Sequence, residues 1–213
     1  MTLPVLIGQY DSPFVRRVAI SMKSYDMPFE HRNWSVFRDA DQIAEYNPLR
    51  RVPVLVRPDG EVLVESTAIL DALDEEAPDD RLLLPRAGAQ RRAGLRVSAL
   101  AMGMADKGVA LIYENVARER GQQSERWRQR CALQVQDALQ LLERERAAIT
   151  TAWWFGERLA HPDIALGVAM HFIAQAAPDI VAELDLPALR AHEARCHQLA
   201  PFRDVDAPLH FPD

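Results

Sequence analysis

The chain has 213 residues, of which 48% are hydrophobic and 26% are charged, a composition typical of a folded globular protein. Its formal net charge of −6 gives no basic surplus for nucleic acid or an anionic membrane surface. No apolar run of about 18 residues is present, and no basic segment with a long apolar stretch opens the chain. We therefore expect no nucleic-acid or membrane partner, no signal peptide and a cytoplasmic location, where Cys131 and Cys196 would be reduced thiols.

The first 77 residues alternate between strand and helix patterns. Strands are predicted at 3–8, 28–34, 52–56 and 61–65. Helices are predicted at 13–24, 38–47 and 66–77, the last of them capped by Ser66. The third and fourth strands flank "RPDG", whose proline and glycine favour the tight turn of a hairpin.

The second part of the chain shows helical patterns and no strand pattern. A proline-rich linker occupies 78–89 and separates an α/β domain, 1–77, from a helical domain, 90–213. Helices are predicted at 90–120 and 124–149, from about 160 to 170, and at 187–199. The tail from residue 201 to 213 is predicted to be irregular.

Ser12 lies at the turn between the first strand and the first helix. Taken alone, "SPF" is typical of a helix start, because serine is a favoured N-cap and Pro13 suits the first helical position. The same turn lies at the carboxyl edge of a strand, where open α/β sheets bind ligands. A hydroxyl beside a helix N-terminus there could stabilise a small anion.

Pro53 interrupts the third strand pattern, in "NPLRRVPVLV". An ordinary trans proline at a sheet edge is the simple interpretation, because cis X-Pro bonds are only about 5–6% of the total. The functional interpretation is a cis bond that presents the backbone of Val52 to an extended peptide.

Glu65 and Ser66 end the hairpin and open the next helix. Capping alone explains a serine there. The functional interpretation is that Ser66 and the helix N-terminus hold a carboxylate, while Glu65 holds a neighbouring ammonium.

The order and spacing of these three motifs, followed by a helical domain, resemble the glutathione transferase family. "SPFVRRVAI", "NPLRRVPVL" and "ESTAIL" carry the resemblance, and "FGERLAHPDIALG" extends it into the helical domain, so that it covers nearly the whole chain. The serine followed by Pro-Phe is most similar to serine-type branches, such as the plant tau class and related bacterial enzymes. The resemblance implies a thioredoxin-like N-terminal domain, an all-α C-terminal domain, a homodimer, and glutathione as co-substrate.

The resemblance also implies roles for individual residues. Ser12, with Phe14 beside it, would bind the glutathione sulfur and favour the thiolate; a free thiol has a pKa of about 8.5. Val52 and Pro53 would pair with the cysteinyl backbone, and Glu65 and Ser66 would hold the γ-glutamyl end.

Two assignments implied by the resemblance stay open. Arg51 or Arg38 would bind the glycyl carboxylate, although a solvated surface arginine is the simpler role for Arg38. Tyr10 is the rival of Ser12, since several branches of the family use a tyrosine near the first strand; a core or pocket-wall tyrosine is the simpler role.

In the family that the sequence resembles, the electrophile pocket is lined by the region of the fourth helix and by the tail, and the candidates here are Tyr10 and residues of the predicted helix 90–120. These helical candidates are Met102, Met104, Val109, Ile112 and Tyr113. Residues at such spacing are more often plain core. The six histidines show neither HxxxH nor HExxH spacing, so no metal site is expected.

The start of the helix near residue 160 departs from the family pattern. Relatives usually carry Ser or Thr three residues before an Asp, a capping box that helps folding. Here Ala160 stands at the cap position and Asp163 is present. Either His161 caps the helix or the helix starts differently, and Asp163 is expected to be structural.

The resemblance favours an enzyme that joins the glutathione thiolate to small hydrophobic electrophiles. Glutathione-dependent peroxide reduction or isomerisation at the same site is an alternative. A non-catalytic module that binds glutathione or a partner is another.

Overall fold

A computed structural model describes residues 2–119 and 121–210 and shows a mixed sheet with helices followed by an all-helical region. The strands are β1 (Val5–Ile7), β2 (Glu30–Arg32), β3 (Val54–Val56) and β4 (Val62–Val64). The helices of the first region are α1 (Pro13–Ser24), α2 (Ala40–Ala44) and α3 (Ser66–Glu76). Those of the second region are α4 (Ala89–Val116), α5 (Glu125–Ala147), α6 (His161–Ala176), α7 (Pro178–Ala182), α8 (Pro187–His197) and α9 (Ala200–Arg203).

The sheet has the strand order β2-β1-β3-β4, with β1 parallel to β2 and antiparallel to β3. Strands β3 and β4 pair antiparallel, which confirms the hairpin around "RPDG". Side chains alternate between the two faces: Leu6 and Leu55 belong to the main core with α1 and α3, whereas Ile7 and Val54 pack with Ile43 of α2. The predicted fold class, a thioredoxin-like α/β unit plus a helical unit, is confirmed.

Helix α6 is the centre of the helical region and packs against α1, α4 and α8. It begins at His161, preceded by Ala160, which has no side chain able to cap. Asp163 accepts the amide of Ala160 at 2.9 Å and that of Trp154 at 2.8 Å, so its role is structural, and burial raises its pKa to about 7. The contact from Asp163 back to the cap residue is therefore present, although the cap position carries no hydroxyl to complete a capping box.

Several predictions about helix ends and the tail are wrong. The N-cap of α3 is Glu65 and not Ser66, because the Glu65 carboxylate accepts the amide of Thr67 at 3.0 Å. The tail contains α9, and α7 was not predicted; both are shorter than the window in which helical periodicity is detectable. Residues 211–213 of the predicted irregular tail lie outside the described residues. Within the described part of the chain, no helix is both long and apolar enough to cross a bilayer.

A buried polar cluster joins the α/β region to the helical region. The Tyr25 hydroxyl, at the end of α1, donates to Asp74 Oδ1 of α3 at 2.5 Å, and His161 Nε2 of α6 lies 2.7 Å from the same oxygen. The Tyr25 oxygen also accepts the amide of Leu83 at 3.1 Å. Burial alone would raise the pKa of Asp74, but His161, Tyr25 and Arg91 hold it below its usual value.

Substituting Asp74→Asn is expected to lower the free energy of unfolding by about 1.5–3 kcal/mol at neutral pH, the usual contribution of a hydrogen bond to a charged group. Because the folded-state pKa of Asp74 is depressed, its contribution is present above about pH 4 and is lost as the pH falls through the folded-state value. Urea unfolding at a series of pH values measures this. The difference between wild type and variant should shrink in acid.

The matched control is Asp71→Asn on the same helix. Asp71 forms a surface ion pair with Arg91, and the Asp71 side chain is 61% exposed. A surface pair contributes about 0–1 kcal/mol. Equal losses in the two variants, or a loss in Asp74→Asn that does not depend on pH, would contradict the account.

Candidate functional site

The register of the sheet brings three turns that are distant in sequence to one edge. Ile7 pairs with Val54, and Val54 pairs with Val64. The next positions beyond this row are Gly8, Pro53 and Glu65. The three motifs singled out from the sequence therefore lie side by side.

Gly8 holds the first two of these turns together. Its φ is +131°, and a Cβ built there would lie 2.5 Å from Val15 Cγ2 and 2.8 Å from Val52 Cβ. Such distances are too short for a real side chain, so only glycine lets the turn before α1 lie against the loop before β3.

Ser12 is the N-cap of α1 and also faces the cleft described below. Its oxygen accepts the amide of Val15 at 3.4 Å, and Pro13 occupies the first helical turn. Within residues 2–119 and 121–210, the Ser12 hydroxyl donates to no acceptor. Its proton is thus available to a ligand, and capping and ligand binding are compatible because they use different parts of one hydroxyl.

Val52 precedes a cis peptide bond to Pro53, which confirms the predicted isomer. Val52 is half-buried and lines the cleft. Its amide and carbonyl have no backbone partner in the described part of the chain. An unpaired donor and acceptor beside a sheet end are the groups that an extended peptide pairs with.

Glu65 and Ser66 form a compact polar turn with an unusual backbone conformation. Glu65 has φ +71°, a region that residues other than glycine rarely occupy. Its carboxylate accepts the hydroxyl of Ser66 at 3.2 Å as well as the Thr67 amide. The turn therefore presents a negative carboxylate together with the positive end of α3. An amino acid zwitterion needs these two partners, one for its ammonium and one for its carboxylate.

Arg17 lies beneath this turn and was not singled out from the sequence. It is almost fully buried, donates to Thr67 Oγ1 at 3.3 Å, and its Nε has no acceptor among the described residues. Burial lowers its pKa to about 10, partly opposed by Glu65, so it remains a cation at neutral pH. A signal was available in the paired arginines of "SPFVRRVAI", which fall on an otherwise buried helix.

A cleft of about 730 Å³ opens in front of Ser12, between the sheet edge and the helical region. This is the usual volume of a small-molecule site. Its first wall contains the predicted residues Ser12, Phe14, Arg38, Arg51 and Val52. Residues of this wall that the sequence analysis missed are Gln9, Asp11, Pro13, Trp34, Ser35, Val36, Phe37 and Arg50. Glu65, Ser66 and Pro53 lie outside the cleft lining.

The opposite wall of the cleft is mostly apolar. It contains Val109, Ile112 and Tyr113 of α4, as expected, together with Phe172 of α6 and the tail residues Leu209 and His210. The rings of Tyr113 and Phe37 meet edge to face with centroids 5.5 Å apart, joining the two walls. Leu209 lies in irregular backbone, so no helical periodicity in the sequence marks it as a cleft residue.

Met102 and Met104 were expected in the pocket and lie elsewhere. Their exposed fractions are 7% and 2%, and both belong to the main core and not to the cleft lining. The physical reason is that they lie one to two turns before Val109 on α4, where this helix packs against its neighbours.

Tyr10 lines a smaller cavity beside the cleft that Ser12 faces, and the two cavities share Gln9, Asp11 and His210. Its ring stacks on His31 with centroids 3.9 Å apart, and the smaller cavity has a volume of about 250 Å³. Burial, with a contribution from Asp204, raises the pKa of the Tyr10 hydroxyl. Tyr10 is thus a wall residue of the neighbouring cavity, not of the main cleft.

The three arginines of the cleft differ in their ion pairs. Arg38 Nη2 lies 3.0 Å from Asp39, and Arg50 Nη1 lies 2.5 Å from Asp41. Arg51 has the loosest pair, 3.8 Å from Asp106 of α4, and is 66% exposed. Arg51 is therefore the arginine most available to a ligand carboxylate.

Comparison with known proteins agrees with this geometry. Residues 6–81 match the family model described as the glutathione S-transferase N-terminal domain. The glutathione S-transferase of Methylobacterium radiotolerans, solved with glutathione sulfonate, is 28% identical with a TM-score of 0.86, over 96% of this chain and 94% of that one. These matches support the glutathione S-transferase family for this chain. The transferase of Methylobacillus flagellatus, solved with glutathione bound, is 27% identical with a TM-score of 0.84, over 96% and 99% of the two chains.

Curated members of the glutathione S-transferase family match shorter stretches. The uncharacterized GST-like protein YibF of Escherichia coli is 35% identical over 122 residues, 56% of this chain and 58% of its own length. Glutathione S-transferase U1 of Arabidopsis thaliana is 38% identical over 71 residues, 33% of this chain and 31% of its own.

Substituting Gly8→Ala is expected to destabilise the fold, because the new methyl group must displace Val15 and Val52. Gly60→Ala is the matched control, since Gly60 also has positive φ, +93°, but meets nothing within 4 Å. The positive φ costs each variant about 1 kcal/mol or more, and the clash adds a further loss at Gly8 alone. Chemical unfolding measures both. Equal stability of the two variants would contradict the close approach at Gly8.

Proposed function

We propose that the protein is a glutathione transferase that joins the thiolate of glutathione to small hydrophobic electrophiles. The observation that carries the proposal is the convergence of three motifs on one sheet edge, beside a cleft whose far wall is apolar. Each motif offers a group that a different part of glutathione requires.

The γ-glutamyl end of glutathione matches the turn at Glu65 and Ser66. Its ammonium fits the Glu65 carboxylate, and its carboxylate fits the N-terminus of α3. The Ser66 hydroxyl, which donates to Glu65 at 3.2 Å, would turn to donate to the same ligand carboxylate. The buried cation of Arg17, which donates to Thr67 Oγ1 at the start of α3, would lie near this carboxylate and compensates the charge of Glu65. Charge matching of this kind favours an amino acid zwitterion over a simple anion.

The middle and far end of the peptide match the loop before β3. The cysteinyl backbone would pair with the amide and carbonyl of Val52, which have no partner of their own among the described residues. The glycyl carboxylate would bind Arg51, whose loose pair with Asp106 is broken at small cost. These contacts would direct the thiol toward Ser12.

Ser12 would then stabilise the reacting sulfur. A hydroxyl donating to a thiolate, beside the positive end of α1, favours the ionised form and lowers the thiol pKa. The thiolate attacks the electrophilic carbon and expels the leaving group, for example halide, and the proton displaced from the thiol passes to solvent. Val109, Ile112, Tyr113 and Phe172 would bind the apolar part of the electrophile.

The same site admits the other glutathione-dependent reactions, peroxide reduction and isomerisation. Conjugation is preferred because the apolar wall of α4 and α6 suits an organic electrophile. By analogy with the family, we propose that the protein acts as a cytoplasmic homodimer in detoxification.

Substituting Ser12→Ala is expected to raise the pKa of bound glutathione's thiol and to slow conjugation of an aryl halide at neutral pH. The loss should be roughly tenfold to hundredfold, because a hydrogen bond to a charged group contributes about 1.5–3 kcal/mol. It should shrink as the pH rises and the thiol ionises unaided. Glutathione affinity, measured by calorimetry, should change little. The pH–rate profile is the decisive measurement.

Tyr10→Phe is the matched control, because it removes a hydroxyl from the neighbouring cavity. It should leave the apparent thiol pKa unchanged. If Tyr10→Phe raises that pKa and Ser12→Ala does not, the assignment of Ser12 is wrong. Glutathione binding without turnover of any electrophile or peroxide would instead favour the non-catalytic module.

A further inference from the structure

A second cluster of side chains with metal-ligand chemistry lies between α6 and α8. His171 Nδ1 is 3.5 Å from Glu193 Oε1, and His197 Nε2 is 3.9 Å from the same oxygen. One ligand atom from each of the three side chains lies within 4.8 Å of the others. The residues come from two helices, so the search for HxxxH or HExxH spacing could not find them.

We propose that His171, Glu193 and His197 bind a single divalent transition-metal ion, with Zn²⁺ the best chemical match, and that Asp206 orients His171. The proposal is independent of glutathione. The histidine spacing in the sequence led us to expect no metal site, and the proposal departs from that expectation.

The separations of the three ligands suit a tetrahedral ion. Zinc bonds of about 2.0–2.2 Å to nitrogen and oxygen place adjacent tetrahedral ligands about 3.3 Å apart. The two separations from Glu193, 3.5 and 3.9 Å, are slightly longer, and all three ligand atoms lie within 4.8 Å of one another, so side-chain rotations would complete three corners. Two imidazoles and one carboxylate are a ligand set that zinc uses, with a fourth position left for water.

Asp206 supplies the outer contact that metal-binding histidines usually have. Its Oδ1 is 3.5 Å from His171 Nε2, the ring nitrogen opposite the one that faces Glu193. A carboxylate that accepts this second N–H fixes the tautomer and aims Nδ1 at the metal. Asp206 is itself held by Arg16 of α1, at 3.4 Å.

The burial of the cluster suits an ion that enters from solvent and is then retained. The exposed fractions are 20% for His171, 22% for Glu193 and 31% for His197. Glu193 and Asp206 carry two negative charges against one positive charge on Arg16, which favours a dication.

The proposed metal site lies close to the segment of the tail that lines the main cleft. Asp206 follows α9 and comes three residues before Leu209, which lines the main cleft. A metal between α6 and α8 that fixes His171 against Asp206 would thus order the tail that completes the apolar wall.

The test is calorimetric titration of tag-free protein with Zn²⁺ at pH 7.4, without glutathione, which itself binds zinc. Wild type should bind one ion per chain, and its melting temperature should rise with added zinc. His171→Gln, Glu193→Gln and His197→Gln should each weaken binding at least about tenfold, and Asp206→Asn about tenfold. Circular dichroism confirms that the variants are folded.

His210→Gln is the matched control, an exposed histidine outside the cluster. It should bind zinc as wild type does. Cobalt serves as a spectroscopic probe of the site's geometry. Wild type loaded with Co²⁺ should show the visible d–d absorption typical of a low coordination number, and Asp206→Asn should alter this spectrum. No zinc binding by wild type, equal weakening in His210→Gln, or unchanged binding in the ligand variants would overturn the site. Unchanged affinity and spectrum in Asp206→Asn would overturn its positioning role.

Discussion

The register between β1, β3 and β4 is the constraint on which the candidate site depends. A shift of one residue in either antiparallel pair would turn every side chain of a strand to the opposite face. It would also displace the Gly8, Pro53 and Glu65 positions relative to one another. The register is fixed because Leu6 and Leu55 pack under α1 and α3, while Ile7 and Val54 pack against α2. Core packing on both faces of a small sheet thus sets the positions of the groups that we propose bind glutathione.

A second constraint is the attachment of the helical region to the sheet. The cluster around Asp74 joins α1, α3 and α6, and α6 in turn carries Phe172 to the far wall of the cleft. The polar wall and the apolar wall therefore belong to one packed unit. The proposed conjugation needs both, because its two substrates differ in polarity and must meet at one sulfur atom.

Local chemistry made much of the first region predictable from the sequence. Alternating apolar residues indicated the strands, and the serine, proline and glutamate at their ends indicated the three turns. The N-cap of α3 was predicted wrongly because a glutamate at positive φ is uncommon and serine is the usual cap. Arg17 was missed because the apolar periodicity of α1 places it off the buried face, and only tertiary packing buries it.

The second region was less predictable because its functional residues depend on tertiary packing. The family resemblance pointed to the region of α4, where Met102 and Met104 were named together with Val109 and Ile112, and only the helix packing separates core from cleft. Leu209 and His210 reach the cleft from irregular backbone, and His171 meets Glu193 across two helices. None of these placements follows from residue spacing along one helix.

The central claim is that one sheet edge holds the whole of glutathione. A crystal structure of the complex with glutathione tests it most directly. The account predicts the sulfur within hydrogen-bond distance of Ser12 Oγ, the cysteinyl backbone paired with Val52, and the γ-glutamyl end at Glu65 and Ser66. Glutathione bound elsewhere, or its sulfur placed against Tyr10 in the smaller cavity, would contradict the account.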